Sequence, residues 1–296
     1  MYHLTKHHGL GNDFLVALAQ HTPGLLPDPD RARRWCARRE GIGADGVIYG
    51  LEAADPGNDT CMVLLNADGS EAEISGNGIR CLGQAVLRAR GLAEGSLRVE
   101  TVRGVRELHS VRGEVDGDLW VRVDMGAADT GPTPGPLSTA HPARRRATVD
   151  IGNPHLVLEV PEPDRIDLEH DGPALEAEYP LGINVEFITV ESRDRIRLRV
   201  WERGAGVTSA CGSGAVAAAV AARAWGAVDD RVHVVMPGGD VVVEHTGASM
   251  LLTGPSTFVA EVNVAPSEVS HAVDAHLRGA AGEVLPRLVA AVALTP

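Results

Sequence analysis

The chain repeats itself, and the repeat limits the folds open to it more than any other feature. Residues 75–91, SGNGIRCLGQAVLRARG, lie over residues 211–227, CGSGAVAAAVAARAWGA, at an offset of 136 residues. The overlay pairs Ser75 with Cys211, Gly76 with Gly212 and Gly78 with Gly214. At a similar offset GNDFLV (11–16) lies over GNPHLV (152–157) and pairs Asn12 with Asn153. Downstream of each turn, LRVETVRGVRELHS (97–110) and VHVVMPGGDVVVEH (232–245) both read as strand, Gly turn, strand. Each half therefore runs as a Gly-Asn loop, several strands, a Gly-rich turn, a helix and a closing hairpin. Between them TGPTPGPLSTAHP (130–142) has the Pro and Gly density of a linker.

The expected fold class is α/β, of the α+β kind: two pseudo-symmetric lobes, residues 1–135 and 143–264, with the site in the cleft between them. Alternating runs such as DLWVRVDM, VEFITV and RIRLRV outnumber the helical windows, so strands dominate. Residues 265–296 read as a helical extension of one or two amphipathic helices, capped by Ser267.

At each Gly-rich turn a residue with a hydroxyl or thiol precedes Gly-x-Gly and a helix. The first amides of a helix have no intrahelical acceptor and carry partial positive charge. A thiolate is favoured there, and the same amides can hold a carboxylate. Cys211 in SACGSGA fits that placement, whereas Cys36 in RRWCARR, Cys61 in CMVLL and Cys81 within a helix read as packing residues. Two such turns facing each other suit two-base chemistry at a tetrahedral carbon, one group removing a proton from one face and the other delivering one to the opposite face. An amino-acid α-proton is weakly acidic, so such a site needs a dry, preorganised field aimed at the carboxylate.

Composition narrows the alternatives. A net charge of −13 and a pI near 5.3 speak against a nucleic-acid partner, and Arg31–Arg39 and Arg144–Arg146 read as solvated surface. Lys6 is the only lysine, which leaves a pyridoxal-phosphate Schiff base a single N-terminal candidate, and no cofactor is expected. The four cysteines have no CxxC spacing, so no metal site is expected. No apolar run is long enough for a membrane span, and MYHLTKHHGLGNDF has no apolar leader core, so a cytoplasmic location is the default expectation.

Six stretches, HGLGNDF (8–14), GIGADGV (41–47), NADGSEAEISGNGIRC (66–81), IGNPH (151–155), GINVEF (182–187) and WERGAGVTSACGSG (201–214), together resemble the diaminopimelate epimerase family, in family order and up to about Val264. The resemblance implies two lobes, each a strand-rich barrel around a central helix, and a homodimer. It implies interconversion of LL- and meso-2,6-diaminopimelate, a small-molecule substrate, for lysine and peptidoglycan synthesis. Carried over by position, it makes Cys211 one acid/base residue and puts Ser75 where the other cysteine belongs. His155 and Glu202 match polar residues beside the two bases. Asn12, Asn66, Asn153, Asn184 and Arg203 match substrate contacts, with Arg203 a partner for the distal carboxylate. Gly76, Asn77, Gly212 and Ser213 supply amides for the reacting carboxylate.

Ser75 departs from that pattern, because an alcohol is a far weaker acid than a thiol. It leaves several readings open: a substitution that impairs the enzyme, a native serine activated by Glu202 or His155, a hydroxyproline epimerase or dehydratase of the related proline-racemase superfamily, or a dead paralogue that binds an amino acid. HGLGNDF and NADGSE favour diaminopimelate, and Arg203 with Asn184 speaks against a compact cyclic substrate.

Overall fold

The structure is a computed structural model that describes residues 2–72, 75–112, 118–133 and 143–262. Most of the expected linker and the whole 265–296 extension lie outside the described residues.

The first half carries β1 (Leu4–Gly9), β2 (Asn12–Leu18), α1 (Pro29–Cys36), β3 (Gly46–Leu51), β4 (Thr60–Asn66) and α2 (Gly76–Ala89). It continues with β5 (Ser96–Thr101), β6 (Gly104–Arg112), β7 (Asp118–Gly126) and the short β8 (Asp129–Thr130). The second half carries β9 (Arg145–Asp150), β10 (Pro154–Glu159), α3 (Leu168–Glu176), β11 (Asn184–Ser192), β12 (Arg195–Glu202), β13 (Gly206–Thr208) and α4 (Gly212–Ala224). It ends with β14 (Arg231–Met236), β15 (Gly239–His245) and β16 (Met250–Val262).

Pairing repeats with the sequence. In the first half β2–β3 and β4–β5 are parallel; in the second half β10–β11 and β12–β14 are parallel. Parallel neighbours need a crossover, and each lobe uses one helix outside and one inside. α1 and α3 cross outside, burying Ala32 and Cys36, or Leu168 and Leu175, on the outer faces of their sheets. α2 and α4 cross inside and fill the barrels. α4, Gly-Ser-Gly followed by alanine and valine, is apolar on nearly every side, the pattern of a helix enclosed by protein. The strands alternate accordingly: in β12, Ile196, Leu198 and Val200 point inward while Arg195 and Arg197 face solvent.

Closure depends on strands that the two halves exchange. β16 pairs with β15 at its start and with β1 at its end, where Leu4 meets Val262. Its other edge lies against β7 from Met250 to Thr257, and the chain beyond β7 continues as β8 to pair with β9. Each half thus starts its last strand in its own barrel and finishes it in the other. The result is a mixed α/β, strand-rich protein built on eight-stranded barrels, with one hydrophobic core running through both. The basic run around Arg31–Arg39 covers α1 and the turn after it, where Arg38 pairs with Asp13 at 2.7 Å and Asp45 at 2.6 Å. No helix among the described residues is long and apolar enough to cross a membrane.

Candidate active site

The two central helices meet head to head. A Cβ placed on Gly212 would lie 2.9 Å from the Gly76 Cα, and one placed on Gly76 would lie 3.0 Å from the Gly212 Cα. Glycine is required at both positions because the obstacle is backbone, which cannot swing aside. Ser75 and Cys211 are the N-caps, with matching extended conformations of φ −143°, ψ 113° and φ −125°, ψ 116°. Ser75 Oγ accepts from the Gly78 amide at 2.9 Å, and Cys211 Sγ accepts from the Gly214 amide at 3.3 Å. The amides of Gly76, Asn77, Gly212 and Ser213 occupy the first turns, where a helix offers no acceptor of its own. Two positive helix ends therefore converge on one point, flanked by a hydroxyl and a thiol.

The flanks differ in everything else. Cys211 is buried beside two carboxylates: Glu202, which accepts from Thr208 and whose charge bears on the thiol, and Glu186, which lies against the same first turn. Burial, then Glu202, then Glu186 push the Cys211 thiol well above its ordinary range, against the smaller pull of Ser213 and the Gly214 amide. The helix terminus that favours a thiolate from sequence is outweighed, and the resting side chain is the thiol. Burial likewise raises both Glu202 and Glu186. His155, fully buried, has Nδ1 2.7 Å from Glu186 Oε1 and Nε2 3.0 Å from Asn153 Oδ1. On the other flank Ser75 opens on a narrow cleft lined by Met62, Leu64, Glu71, Ile79 and Val102, with Glu71 exposed.

Strand register explains the difference. Phe14 pairs with Gly46 and Gly46 with Asn66 in the first lobe. In the second lobe His155 pairs with Asn184, and Glu202 follows Trp201, the partner of Val185. Phe14 and Asn66 thus stand where the second lobe has His155 and Glu202, and Ile48 stands where it has Glu186.

The asparagines tie the lobes together. Asn77 donates to the Ala210 carbonyl at 2.9 Å and to Asn12 Oδ1 at 3.2 Å, while Asn12 donates to Asp45 at 2.9 Å. Asn184 donates to the Pro154 carbonyl at 2.9 Å and accepts from the Arg203 amide at 3.0 Å. The Arg203 guanidinium reaches the Leu181 carbonyl at 3.2 Å. Asn66 turns to Ser70 Oγ at 3.0 Å, in the turn that ends β4. The remaining cysteines sit apart, with Cys81 in the core pushed up to about 11 and Cys36 under α1 pushed up to about 12, both by burial.

Three participants escape sequence reasoning. Thr208 and Glu186 join the Cys211 cluster, and Arg80, fully buried, donates to the Gly76 carbonyl at 2.9 Å and to Asn77 Oδ1 at 2.8 Å. Glu186 had a legible signal: an acid at an inward position of an otherwise apolar strand, VEFI.

Comparison with known proteins agrees with this arrangement. The sequence profile of the diaminopimelate epimerase family matches residues 4–130 and 147–259. A diaminopimelate epimerase of Synechocystis sp. is 38% identical over 273 residues, covering 86% of this chain and 96% of the relative. That of Magnetococcus marinus is 40% identical over 268 residues, covering 86% and 94%. Among solved structures, a hydroxyproline epimerase from Agrobacterium vitis superposes with a TM-score of 0.68 at 17% identity, covering 88% of this chain and 91% of that one. A phenazine biosynthesis protein of Bacillus anthracis gives 0.67 at 17%, covering 88% and 98%. At those identities the structural likeness speaks for the fold alone, whereas the sequence matches span nearly all of both lobes, and on them the chain belongs to the diaminopimelate epimerase family.

Proposed function

We propose that this chain epimerises diaminopimelate between its LL and meso forms by proton transfer at one α-carbon, with Cys211 as the principal acid/base group. The observation that carries the reading is the head-to-head meeting of two helix N-termini between two capping side chains. The substrate α-carboxylate lies over the amides of Gly76, Asn77, Gly212 and Ser213, whose partial charges stabilise the negative charge that develops when the α-proton leaves. Cys211 passes its thiol proton to Glu202, whose carboxylate bears on it in the same buried cluster, and the thiolate takes the α-proton from one face. His155 stands behind that cluster, bonded to Glu186 and Asn153. Asn12, Asn66, Asn153, Asn184 and Arg203 fix the substrate, with Arg203 meeting the distal carboxylate.

Ser75 faces the opposite side of the carbon. Its hydroxyl is a weak acid, and exposed Glu71 is the one charged side chain among the residues lining its cleft, so delivery of a proton from that face is slow. Exchange of the α-proton at Cys211 therefore outpaces inversion. The same reading carries a role in lysine and peptidoglycan synthesis, a cytoplasmic location and a homodimer, the last checked by light scattering.

The test is incubation of LL-diaminopimelate in D₂O with the parent and with Ser75→Cys, following α-deuteration and the meso isomer by NMR. The parent is expected to exchange faster than it inverts, and Ser75→Cys to raise inversion by about a hundredfold, the usual scale of a well-matched acid or base. Equal rates of inversion in both would make Ser75 a competent acid. Silence from both would remove diaminopimelate, and hydroxyproline would be tried next.

A further inference from the structure

Glu186 has no part in the chemistry described above, yet it is the most enclosed carboxylate of the site. Its side chain is fully buried on β11, and Oε2 has no hydrogen-bond partner among the described residues. An ideal Cβ on Gly214 would lie 2.7 Å from Glu186 Oε1 and 3.3 Å from Cys211 Sγ, so oxygen and sulfur are at most about 6 Å apart. Only glycine at 214 leaves the carboxylate that room. A buried carboxylate with one oxygen unbonded is costly, so its placement calls for a reason.

The hydrogen bonds of His155 define its state. Nε2 faces the Asn153 carbonyl oxygen at 3.0 Å, with the amide as oriented here, and must carry a proton. Nδ1 faces Glu186 Oε1 at 2.7 Å, and a bond of that length needs one proton between them. Whether that proton rests on nitrogen or oxygen, the pair is neutral overall. The loss of the shared proton leaves a full negative charge beside the Cys211 sulfur.

We infer that Glu186 is a positioning residue for Cys211: sharing a proton with His155, it locks the imidazole in one orientation and sets the charge that the thiol faces. This rests on the proposed role of Cys211 as the acid/base group. The titratable groups facing Cys211 are Glu202 from β12, Glu186 from β11 and, behind both, His155 from β10. The other strands against α4 turn Val149, Val232, Val234, Val243 and Leu252 toward it. A like charge within 4–6 Å disfavours the charged form of its neighbour by about one to three pH units. The pair is neutral overall, but Glu186 is its end nearer the sulfur and the imidazole lies behind, so the field at Cys211 is negative though weaker than a bare carboxylate's. It keeps Cys211 a thiol and guards it against adventitious oxidation, which needs the thiolate.

The test is the ionisation of Cys211 in the full chain and in Glu186→Gln, read as thiolate ultraviolet absorbance. Each protein is compared with its own Cys211→Ser counterpart, which removes the signal of Cys36, Cys61 and Cys81. Glu186→Gln is expected to shift the Cys211 titration to lower pH, giving about tenfold more thiolate at a fixed pH, and to move the acid limb of α-proton exchange the same way. A folded Glu186→Gln protein that titrates like the parent overturns the inference. Where that variant does not fold, the histidine ¹⁵N spectrum of the parent decides. A protonated Nε2 with a strongly hydrogen-bonded proton at Nδ1 upholds the inference, and an Nδ1 without one overturns it. Neither the thiolate titration nor the histidine spectrum needs substrate, so failure of either is separable from failure of the diaminopimelate assignment.

Discussion

Ser75 and Cys211 cap two helices that start alike, stop in like places and touch at their first glycines, yet one lies in an apolar cleft and the other in a buried acidic cluster. Duplication has kept the frame and let the surroundings diverge. On one side stand Phe14, Ile48 and Asn66, none of them titratable; on the other stand His155, Glu186 and Glu202, all three titratable. A frame that fixes where two side chains sit does not fix what they can do. Proton transfer depends on the partners that accept the proton next, and among the described residues at these matched positions only the second lobe has titratable side chains.

The central helices differ in the opposite sense. Between its first turn and Arg223 in its last, α4 is alanine and valine, whereas α2 buries Asn77, Arg80 and Gln84. These are satisfied: Gln84 Oε1 accepts from His7 Nδ1 and from Ser256 Oγ, each at 2.8 Å. The first lobe thus carries its polar load in structure, and the second carries it in the site.

Four measurements would break or sharpen that contrast. The largest effect is expected from Cys211→Ser, which should lower α-proton exchange by about a thousandfold; an exchange rate near the parent's would move the chemistry to the Ser75 side. Next comes acid stability. Burial lowers the His7 pKa from 6.5 to about 4, so below pH 6.5 the unfolded chain takes up a proton that the folded chain refuses. Stability from this group should therefore fall as pH drops from about 6.5, with a full loss of about 3 kcal/mol below about pH 4. Urea unfolding across that range should show the loss in the parent and a smaller one in His7→Gln.

Smaller again, Gly76→Ala and Gly212→Ala should each cost about 1–3 kcal/mol by forcing the helix ends apart. The two costs should be alike if the contact is as symmetric as 3.0 and 2.9 Å suggest, and calorimetry would compare them. Last, Ser75→Ala should cost about 1 kcal/mol through loss of the cap to Gly78. An unchanged stability would mean that Ser75 no longer works even as a cap, leaving Cys211 as the only functional one.

Much was legible in the residues. The offset between Ser75 and Cys211 foretold two like lobes, and the Gly-x-Gly turns foretold two helix N-termini, because capping and turn chemistry act within a few residues. The alternation of β12 foretold its inward face for the same reason of short range. α1 and α3 gave no comparable signal of equivalence, since PDRARRWC and LEHDGPALE share a position in the fold but no residue pattern. Glu186 was passed over because an acid in a strand reads as a solvent-facing residue until the opposite wall is known.

By itself the sequence determined the duplication, the strand-rich halves, the paired turns and Cys211 as the reactive candidate, all consequences of spacing along the chain. Only the tertiary structure decided how β16 and β8 cross to close the opposite barrels, and that Gly76 and Gly212 meet backbone to backbone. It also reversed the charge preference of Cys211. A helix terminus acts locally and is visible in sequence, but desolvation and the fields of Glu186 and Glu202 arise from residues distant in sequence. Strand register brings these together, and only a closed barrel fixes that register.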